Sequence, residues 1–295
     1  MRLFCFGFSY AAESLARRLS ARTSALAGTR TSLADAGDAP LGARLAEFKG
    51  DAPSAEVRAL LAGATHVLIS IPPDLEGDAA LRHFREDLAS LTGLVWIGYL
   101  STVGVYGDWQ GQWVDETSSP RPISERSLRR VHAERAWAQF ARDTGRRVET
   151  FRLAGIYGPG RSPFAALRAG TARRIDRPDQ VFSRIHVDDL AGVLLASIAR
   201  PRPGAVYNVC DDEPAAPEAV IAHAASLLEL PAPPLVPFEA AALSPMARSF
   251  WDDNKRVSNA LIKAELGVVL RYPNYRAGLA AILAAGGWHH PGRIQ

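Results

Sequence analysis

The chain has 295 residues, of which 47% are hydrophobic, and a formal net charge of +3. This length and apolar content allow a large buried core, which excludes a disordered or fibrous protein. No uninterrupted apolar run reaches the ~18 residues that a membrane span needs, and the apolar start lacks a signal-peptide cleavage pattern. We therefore expect a cytoplasmic protein with no membrane partner.

The charged residues and the cysteines indicate neither a nucleic-acid partner nor a metal site. The arginines alternate with acids and alanines along helical segments, which is typical of solvated helix faces. Cys5 and Cys210 are far apart and lie in apolar, strand-like segments, where a cysteine acts as a small hydrophobic residue. We predict no bound metal and no nucleic-acid partner.

Short β-like runs alternate with amphipathic helical segments over the first half of the chain. The predicted strands are Arg2–Phe6, Ser24–Gly28, Ala46–Lys49, His66–Ile71, Leu94–Tyr99 and Val148–Leu153, and the predicted helices are Ala11–Ser20, Ser54–Leu61, Ala79–Leu91 and Ser127–Thr144. This alternation is typical of βαβ units around a parallel sheet. It predicts an α/β fold with a Rossmann-type, doubly wound parallel sheet of six strands.

The alternation stops after Gly158, where Pro159-Gly160 breaks the chain. We predict that residues 1–160 form a dinucleotide-binding core and that residues 181–212 return to the main sheet. Residues 161–180 and 213–295 are expected to form a smaller C-terminal lobe that holds the substrate.

The turn after the first predicted strand has the features of a dinucleotide-binding turn. Gly7-Phe8-Ser9-Tyr10-Ala11-Ala12 stands where the pattern Gly-x-Gly-x-x-Gly is expected. The first glycine permits a tight reversal, and the helix that follows presents free amides to a pyrophosphate. Ser9 and Ala12 replace two glycines but are small enough for close approach. We expect cofactor contacts from Gly7, Phe8, Ser9 and Tyr10; an ordinary turn is the alternative.

The end of the second predicted strand bears on the choice between NAD and NADP. An acid at this place binds the ribose 2′-hydroxyl of NAD, whereas an arginine accommodates the 2′-phosphate of NADP. The chain reads Gly28-Thr29-Arg30-Thr31-Ser32 and has no acid there. We predict NADP, with Arg30 on the phosphate and Thr29, Thr31 or Ser32 as hydroxyl donors. NAD is the alternative cofactor, and a solvated loop position is the alternative for Arg30.

Three further motifs follow in order along the chain, at Tyr99–Gly107, Arg152–Gly160 and Ile185–Ala191. With the Gly7 turn, they make nearly the whole chain resemble the extended short-chain dehydrogenase/reductases, and within them the NAD-dependent epimerase/dehydratase family. The resemblance implies a small-molecule substrate, such as a nucleotide sugar or another carbonyl or hydroxyl compound. It also implies a homodimer that pairs through Ala79–Leu91 and Ser127–Thr144.

The same resemblance implies further cofactor contacts along the edge of the sheet. It puts Asp51 beside the adenine, runs Ile71 and Pro72 past the cofactor, and sets Leu153 and Gly155 at the nicotinamide.

The family's catalytic group combines a Ser or Thr with a Tyr and a Lys four residues apart on the next helix, where the Tyr exchanges a proton with the substrate. Thr102 matches the Ser or Thr. Aligning the helix on Glu134 puts Arg126 at the Tyr position and Arg130 at the Lys position. An arginine cannot exchange protons near neutral pH because its pKa exceeds ~12. Arg130 can still hold the nicotinamide ribose.

Three other residues are candidates for the site. Tyr106 lies four residues after Thr102 and is a candidate for proton exchange, with a structural tyrosine as the alternative. Trp109, in the polar and aromatic run 108–116, is a candidate for substrate contact, with a surface hairpin as the alternative. Arg161 is a candidate for an acidic substrate group, with a surface arginine as the alternative.

Two functions fit these observations. An NADP-dependent oxidoreductase, epimerase or dehydratase is favoured by the retained Thr102 and the cofactor motifs. A non-catalytic dinucleotide-binding sensor or scaffold is favoured by the missing Tyr and Lys.

Overall fold

The computed structural model describes residues 1–19, 21, 23–34 and 40–286. Its strands are β1 (Arg2–Phe6), β2 (Ala25–Arg30), β3 (Arg44–Glu47), β4 (His66–Ile69), β5 (Trp96–Thr102), β6 (Trp113–Val114), β7 (Val148–Leu153), β8 (Gly155–Tyr157), β9 (Arg174–Asp176), β10 (Arg184–His186), β11 (Val206–Val209), β12 (Leu235–Pro237) and β13 (Arg256–Val257). Its helices are α1 (Tyr10–Leu19), α2 (Ala55–Leu61), α3 (Ala79–Ser90), α4 (Glu125–Thr144), α5 (Phe164–Arg168), α6 (Val187–Ala199), α7 (Pro217–Leu227), α8 (Pro245–Arg248), α9 (Ala260–Leu266) and α10 (Tyr275–Ala284).

Seven strands form one parallel sheet in the order β11-β7-β5-β4-β1-β2-β3. The first strand, β1, lies between β2 and β4, with Cys5 opposite both Gly28 and Leu68. The chain runs outwards from β1 in both directions, which is the doubly wound order of a Rossmann fold. The predicted fold class is confirmed.

The sheet has one strand more than the sequence predicted. The seventh strand, β11, pairs with β7 and places Asn208 opposite Arg152. β11 lies within residues 181–212, which were expected to return to the main sheet; earlier in that stretch, β10 pairs with β8, and α6 packs against α1. The prediction of six strands is wrong because the four residues of β11 include a buried asparagine, which interrupts the apolar pattern.

Helices cover both faces of the sheet. Leu15 of α1 and Leu190 of α6 are fully buried on one face, where Ile262 of α9 joins them. Val57 of α2 and Trp137 of α4 are buried on the other face. Each amphipathic helix therefore presents its apolar residues to the strands, as the periodicity predicted for the first four helices.

Smaller pairs of strands and three helices build the C-terminal lobe. β9 pairs with β12, while α5, α7 and α10 pack around a separate apolar cluster that includes Phe164, Val220 and Leu279. β13 pairs with β6, so residues near the end of the chain are joined to the loop that follows β5. The lobe consequently lies against the carboxyl end of β5.

A buried ion pair fixes α4 on the sheet. The Arg152 side chain in β7 is 7% exposed, and its Nη2 donates to Glu134 Oε2 of α4 at 2.8 Å. Arg152 Nη1 also donates to the Tyr106 hydroxyl, which in turn donates to Asn208 Oδ1 of β11. The network sets the position of the first turn of α4 relative to the end of β5.

We predict that Glu134→Gln lowers the melting temperature by about 5–10 °C, because removal of one charge leaves the buried Arg152 guanidinium without its counterion. Differential scanning calorimetry measures the change. Glu125→Gln is the matched control, since Glu125 is exposed on the same helix and should leave the melting temperature nearly unchanged. Equal melting temperatures for the two variants would show that the ion pair does not stabilise the fold.

Candidate functional site

The turn between β1 and α1 has a geometry that suits a dinucleotide. Gly7 has a φ of +85°, and a Cβ there would lie 3.0 Å from Cγ2 of Ile71. The Glu13 amide makes the first helical bond, to the carbonyl of Ser9 at 2.8 Å. The amides of the three preceding residues, 10–12, therefore open at the N-terminus of α1, where a pyrophosphate binds.

Phe8 and Thr29 support this turn from below. Both side chains are buried, at 0% and 1% exposure. The Thr29 hydroxyl accepts the Gly7 amide at 2.9 Å, and the Thr29 carbonyl accepts the Phe8 amide at 2.7 Å. The Thr29 hydroxyl, which was expected to be a donor to the cofactor, instead lies buried beneath the turn, and any cofactor contact of Phe8 has to come from its backbone.

Arg30 is the last residue of β2 and is held in place. Its Nε donates to the Phe8 carbonyl at 3.0 Å, and its Nη2 donates to Glu13 Oε1 at 2.9 Å. Thr31 and Ser32 follow it and are exposed. Arg30 is therefore an ordered cation beside the cofactor turn rather than a freely solvated side chain, and its partner Glu13 brings one negative charge to the same place.

The remaining predicted cofactor residues lie at the carboxyl end of the sheet. Asp51 follows β3 and is exposed, with Oδ1 accepting its neighbour's amide. Ile71 and Pro72 follow β4, and Ile71 adjoins Gly7. Ligands in open α/β sheets bind outside this end, at the crevice where the strand order reverses.

Tyr10 joins the first turn of α1 to the loop after β8. Its hydroxyl donates to the Pro159 carbonyl at 3.0 Å, and burial raises its pKa. The Arg161 guanidinium lies over the Tyr10 ring, 4.4 Å from the centroid. Arg161 therefore lies beside the cofactor turn, and its contact with an acidic substrate group stays a prediction.

A cavity of about 620 Å³ opens between the carboxyl ends of β5 and β7 and the segment 249–257. It brings together five of the predicted site residues: Thr102, Arg126, Arg130, Leu153 and Gly155. Its other walls include Tyr157, Arg184, Phe250, Asp253 and Lys255. The cavity thus lies where the sequence predicted a substrate, between the main sheet and the C-terminal lobe.

The first two turns of α4 present both arginines to this cavity. Arg130 Nη1 donates to the Leu100 carbonyl at 2.9 Å and to the Tyr99 hydroxyl at 3.1 Å, so its guanidinium is fixed against β5. Arg126 is exposed at the mouth, where its guanidinium lies 4.2 Å from the Phe250 ring centroid. The two arginines therefore have different surroundings, although they are one turn apart.

Tyr106 and Trp109 do not line the cavity. Tyr106 is fully buried, its hydroxyl is occupied by Arg152 and Asn208, and burial raises its pKa to about 12. Trp109 donates from Nε1 to the Tyr106 carbonyl and stacks under Arg121. These contacts correct two expectations: Tyr106 cannot exchange a proton with a substrate in the cavity, and Trp109 supports the wall from outside.

Asp253 and Lys255 are the site residues that sequence analysis missed. The Lys255 side chain is only 6% exposed, and its Nζ lies 2.8 Å from Asp253 Oδ2. Burial raises the pKa of Asp253, while the charges of Lys255 and Arg126 act to lower it. One signal was present in the sequence: the chain has 31 arginines and only three lysines, and this lysine lies next to three acidic or amide residues.

Neither a metal site nor a membrane span is found in the part of the chain that the structure describes. There, no three His, Cys, Asp or Glu side chains are grouped as metal ligands would be. The described helices also lack the combination of length and apolar character that would let one of them cross a membrane.

The family model of the NAD dependent epimerase/dehydratase family matches residues 87–210, which include β5, α4 and β7. The match is consistent with three observations of the structure: the order of the strands, the Gly7 turn and the position of Thr102 at the end of β5. Residues 87–210 therefore carry a domain of this family, and the whole chain shares its fold with solved epimerase and dehydratase structures.

Individual proteins are similar to larger parts of the chain. A functionally unknown conserved protein from Silicibacter pomeroyi DSS is 49% identical, with a TM-score of 0.87 over 97% of this chain and 99% of that one. MoeE5 in complex with UDP-glucose and NAD shares the fold, at 20% identity and a TM-score of 0.77 over 95% and 96% of the two chains. Protein YeeZ of Escherichia coli strain K12 is 29% identical over 180 residues, which are 60% of this chain and 58% of YeeZ, so less than two thirds of that relative is matched.

One buried carboxyl behind the cavity predicts a pH effect on stability. Asp211 Oδ1 accepts the Glu213 amide, while no hydrogen-bond partner is found for the buried Oδ2. Burial raises the pKa of Asp211 to about 7, against the opposing charge of Arg184. Because the folded-state pKa is raised, the free energy of unfolding decreases as the pH rises from about 4 to 7.

We predict that Asp211→Asn raises the melting temperature by roughly 5 °C or more at pH 8, and by less than half as much at pH 5, because it removes the buried charge. Thermal unfolding at the two pH values measures the difference. Asp252→Asn, at an exposed carboxylate, is the control. An equal effect of Asp211→Asn at both pH values would contradict the raised pKa.

Proposed function

We propose that the protein binds NADP at the Gly7 turn and catalyses an oxidoreductase, epimerase or dehydratase reaction on a small substrate in the cavity. The observation that carries the proposal is the cavity itself. It is lined by Thr102, at the end of β5, and by Leu153 and Gly155, the residues assigned to the nicotinamide. A concave site of several hundred Å³ at the carboxyl end of such a sheet is a typical ligand site.

The residues of the turn fit a dinucleotide. Gly7 adopts a positive φ in a place where a Cβ would press on Ile71, and the open amides at the start of α1 can accept a pyrophosphate. Ser9 and Tyr10 border the same turn. When bound, the nicotinamide supplies the group that takes or gives a hydride, and Arg130 is the residue proposed to hold its ribose.

The preference for NADP rests on Arg30. No acid stands at the end of β2, and the Arg30 guanidinium is ordered there. Its pairing with Glu13 has two opposed effects: the carboxylate orders the guanidinium, and it also repels a 2′-phosphate. NADP remains favoured because an arginine fork can bind phosphate oxygens with two hydrogen bonds. NAD, which MoeE5 carries in its complex, is the alternative cofactor.

The substrate is proposed to be a nucleotide sugar or another small carbonyl or hydroxyl compound. The complex of MoeE5 with UDP-glucose supports the first choice through the shared fold. Thr102 can orient the reacting oxygen, as the hydroxyl of a Ser or Thr does in relatives.

A second function is a dinucleotide-binding sensor or scaffold without catalysis. The observation that favours it is Arg126 at the Tyr position, together with the burial of Tyr106 away from the cavity. Tyr157 also lines the cavity, but its hydroxyl donates to the Asn274 carbonyl at 3.3 Å.

Calorimetric titration with NADPH and NADH tests the cofactor site. We expect NADPH to bind at least tenfold more tightly than NADH, and Gly7→Val to remove binding of both, because a branched side chain would be strained at φ +85° and would fill the turn. We expect Arg30→Ala to reduce the preference for NADPH to near unity.

Glu13→Gln sharpens the same experiment. It keeps a hydrogen-bond acceptor for Arg30 and removes the competing charge, so the preference for NADPH should increase severalfold. If NADH binds as tightly as NADPH to every variant, the choice of NADP is wrong. If neither binds to the wild type, the proposed function fails as a whole.

We also propose a homodimer that forms through α3 and α4. Leu128, His132 and Ala136 are exposed at a spacing of four residues along α4 and form one stripe. Sedimentation of the 31.8 kDa chain should give a mass near twice that value, and Ala136→Arg should return it to the monomer. Arg142→Met, further along the same helix, is the control. A wild-type monomer would rule the dimer out.

A further inference from the structure

The cavity is lined by more positively charged than negatively charged side chains, and some of these cations are already hydrogen-bonded within the protein. Four cations, Arg126, Arg130, Arg184 and Lys255, line it together with one carboxylate, Asp253. Arg130 donates a hydrogen bond to the Leu100 carbonyl, and Arg184 donates to the carbonyls of residues 182 and 215. These two arginines therefore hold the walls of the cavity together. Arg126, Asp253 and Lys255 remain as a charged cluster.

This cluster carries a surplus positive charge. Lys255 pairs with Asp253 at 2.8 Å. Arg126 packs on Phe250, and no carboxylate of a described residue lies within salt-bridge distance of its guanidinium. The cluster has two cations and one carboxylate, so its net charge is +1, and the guanidinium groups of Arg130 and Arg184 add further positive charge to the cavity wall. Arg126 faces the mouth of the cavity without a carboxylate partner, so a ligand anion can pair with it there.

The segment that carries Asp253 and Lys255 is firmly attached. Gln180 Nε2 donates to the Asp253 carbonyl at 2.9 Å, and the Asn254 amide donates to Asp108 Oδ1 at 2.9 Å. The next residues form β13, which pairs with β6. The lysine is thus held in the cavity before any ligand arrives, and little conformational entropy is lost when one binds.

We propose that the substrate carries a carboxylate, which Arg126 and Lys255 bind in the cavity that Thr102 also lines. This inference rests on the proposed function and names the chemical class of its substrate. A carboxylate matches the planar fork of the arginine and completes the charge of the cluster. The reacting hydroxyl or carbonyl group belongs to the same small acid.

The lysine adds a second argument. Arginine outnumbers lysine by 31 to three, and Lys49 and Lys263 have side chains that are 61% and 40% exposed. The buried lysine is the one that lines the cavity. The ammonium group of a lysine is compact and can pair with Asp253 alone, whereas the larger, planar guanidinium of an arginine needs several acceptors in one plane.

The test uses lactate and its neutral analogue lactamide, which differ in the carboxylate alone. Saturation-transfer NMR titrations of the full chain should show lactate binding at least tenfold more tightly than lactamide. Arg126→Met and Lys255→Met should each weaken lactate binding at least tenfold and leave lactamide unchanged. Arg142→Met and Lys263→Met are matched controls outside the cavity and should behave as wild type.

The Gly7→Val variant separates this inference from the cofactor site. It should still bind lactate, because the anion site does not include the turn, even if the variant or the wild type binds no dinucleotide. Loss of lactate binding in Gly7→Val would place the anion at the pyrophosphate turn and overturn the proposal. Equal binding of lactate and lactamide, absence of lactate binding, or tighter binding of inorganic phosphate would overturn it as well.

Discussion

The ion pair between Arg152 and Glu134 is the constraint on which the site depends. An arginine in the middle of a buried strand is tolerated only when its charge and its donors are satisfied, and Glu134 and Tyr106 satisfy them. This requirement fixes α4 in height and rotation against β5 and β7. The first two turns of the helix therefore face the cavity. Arg152 also donates a hydrogen bond to the Tyr106 hydroxyl, which lies outside the cavity and is therefore out of reach of a substrate.

The two arginines of α4 show how the same residue type takes different roles through its surroundings. Arg130 finds a carbonyl and a tyrosine hydroxyl on β5 and becomes part of the wall. Arg126, one turn earlier, has an aromatic ring beneath it and solvent in front. The position to which sequence analysis assigned the family's proton-exchanging tyrosine therefore holds a permanently charged side chain. Any acid–base chemistry in this protein has to come from other groups in the cavity.

Sequence analysis predicted the fold well where its signals are local. Strands β1–β5 and β7 and the first four helices follow from local sequence patterns, and the Gly7 turn follows from its place between β1 and α1. Thr102 was found through the motif Tyr99–Gly107, which spans the end of β5. β11 was missed because a buried Asn208, which serves the Arg152 network, disrupts the apolar run.

The misplacements at the site have a different cause. Asp253 and Lys255 come within reach of Thr102 only through the pairing of β13 with β6, about 140 residues apart in the chain. No periodicity or short motif encodes such a contact. Tyr106 was a candidate for proton exchange because it lies close to Thr102 in sequence, and Trp109 was a candidate for substrate contact because it belongs to the polar and aromatic run 108–116. In the structure, both side chains pack behind the cavity wall, against Arg152 and Arg121.

The pairing of β6 with β13 has a consequence for how the protein is made. During synthesis, the first 160 residues can emerge and form most of the parallel sheet, with the Gly7 turn in place, while the last hundred are still being added. The cavity lacks a wall until residues 253–257 dock on the loop after β5. The nascent chain would therefore form the cofactor turn first and the substrate cavity last. A chain that ends before β13 would keep the cofactor turn but would lack a complete cavity.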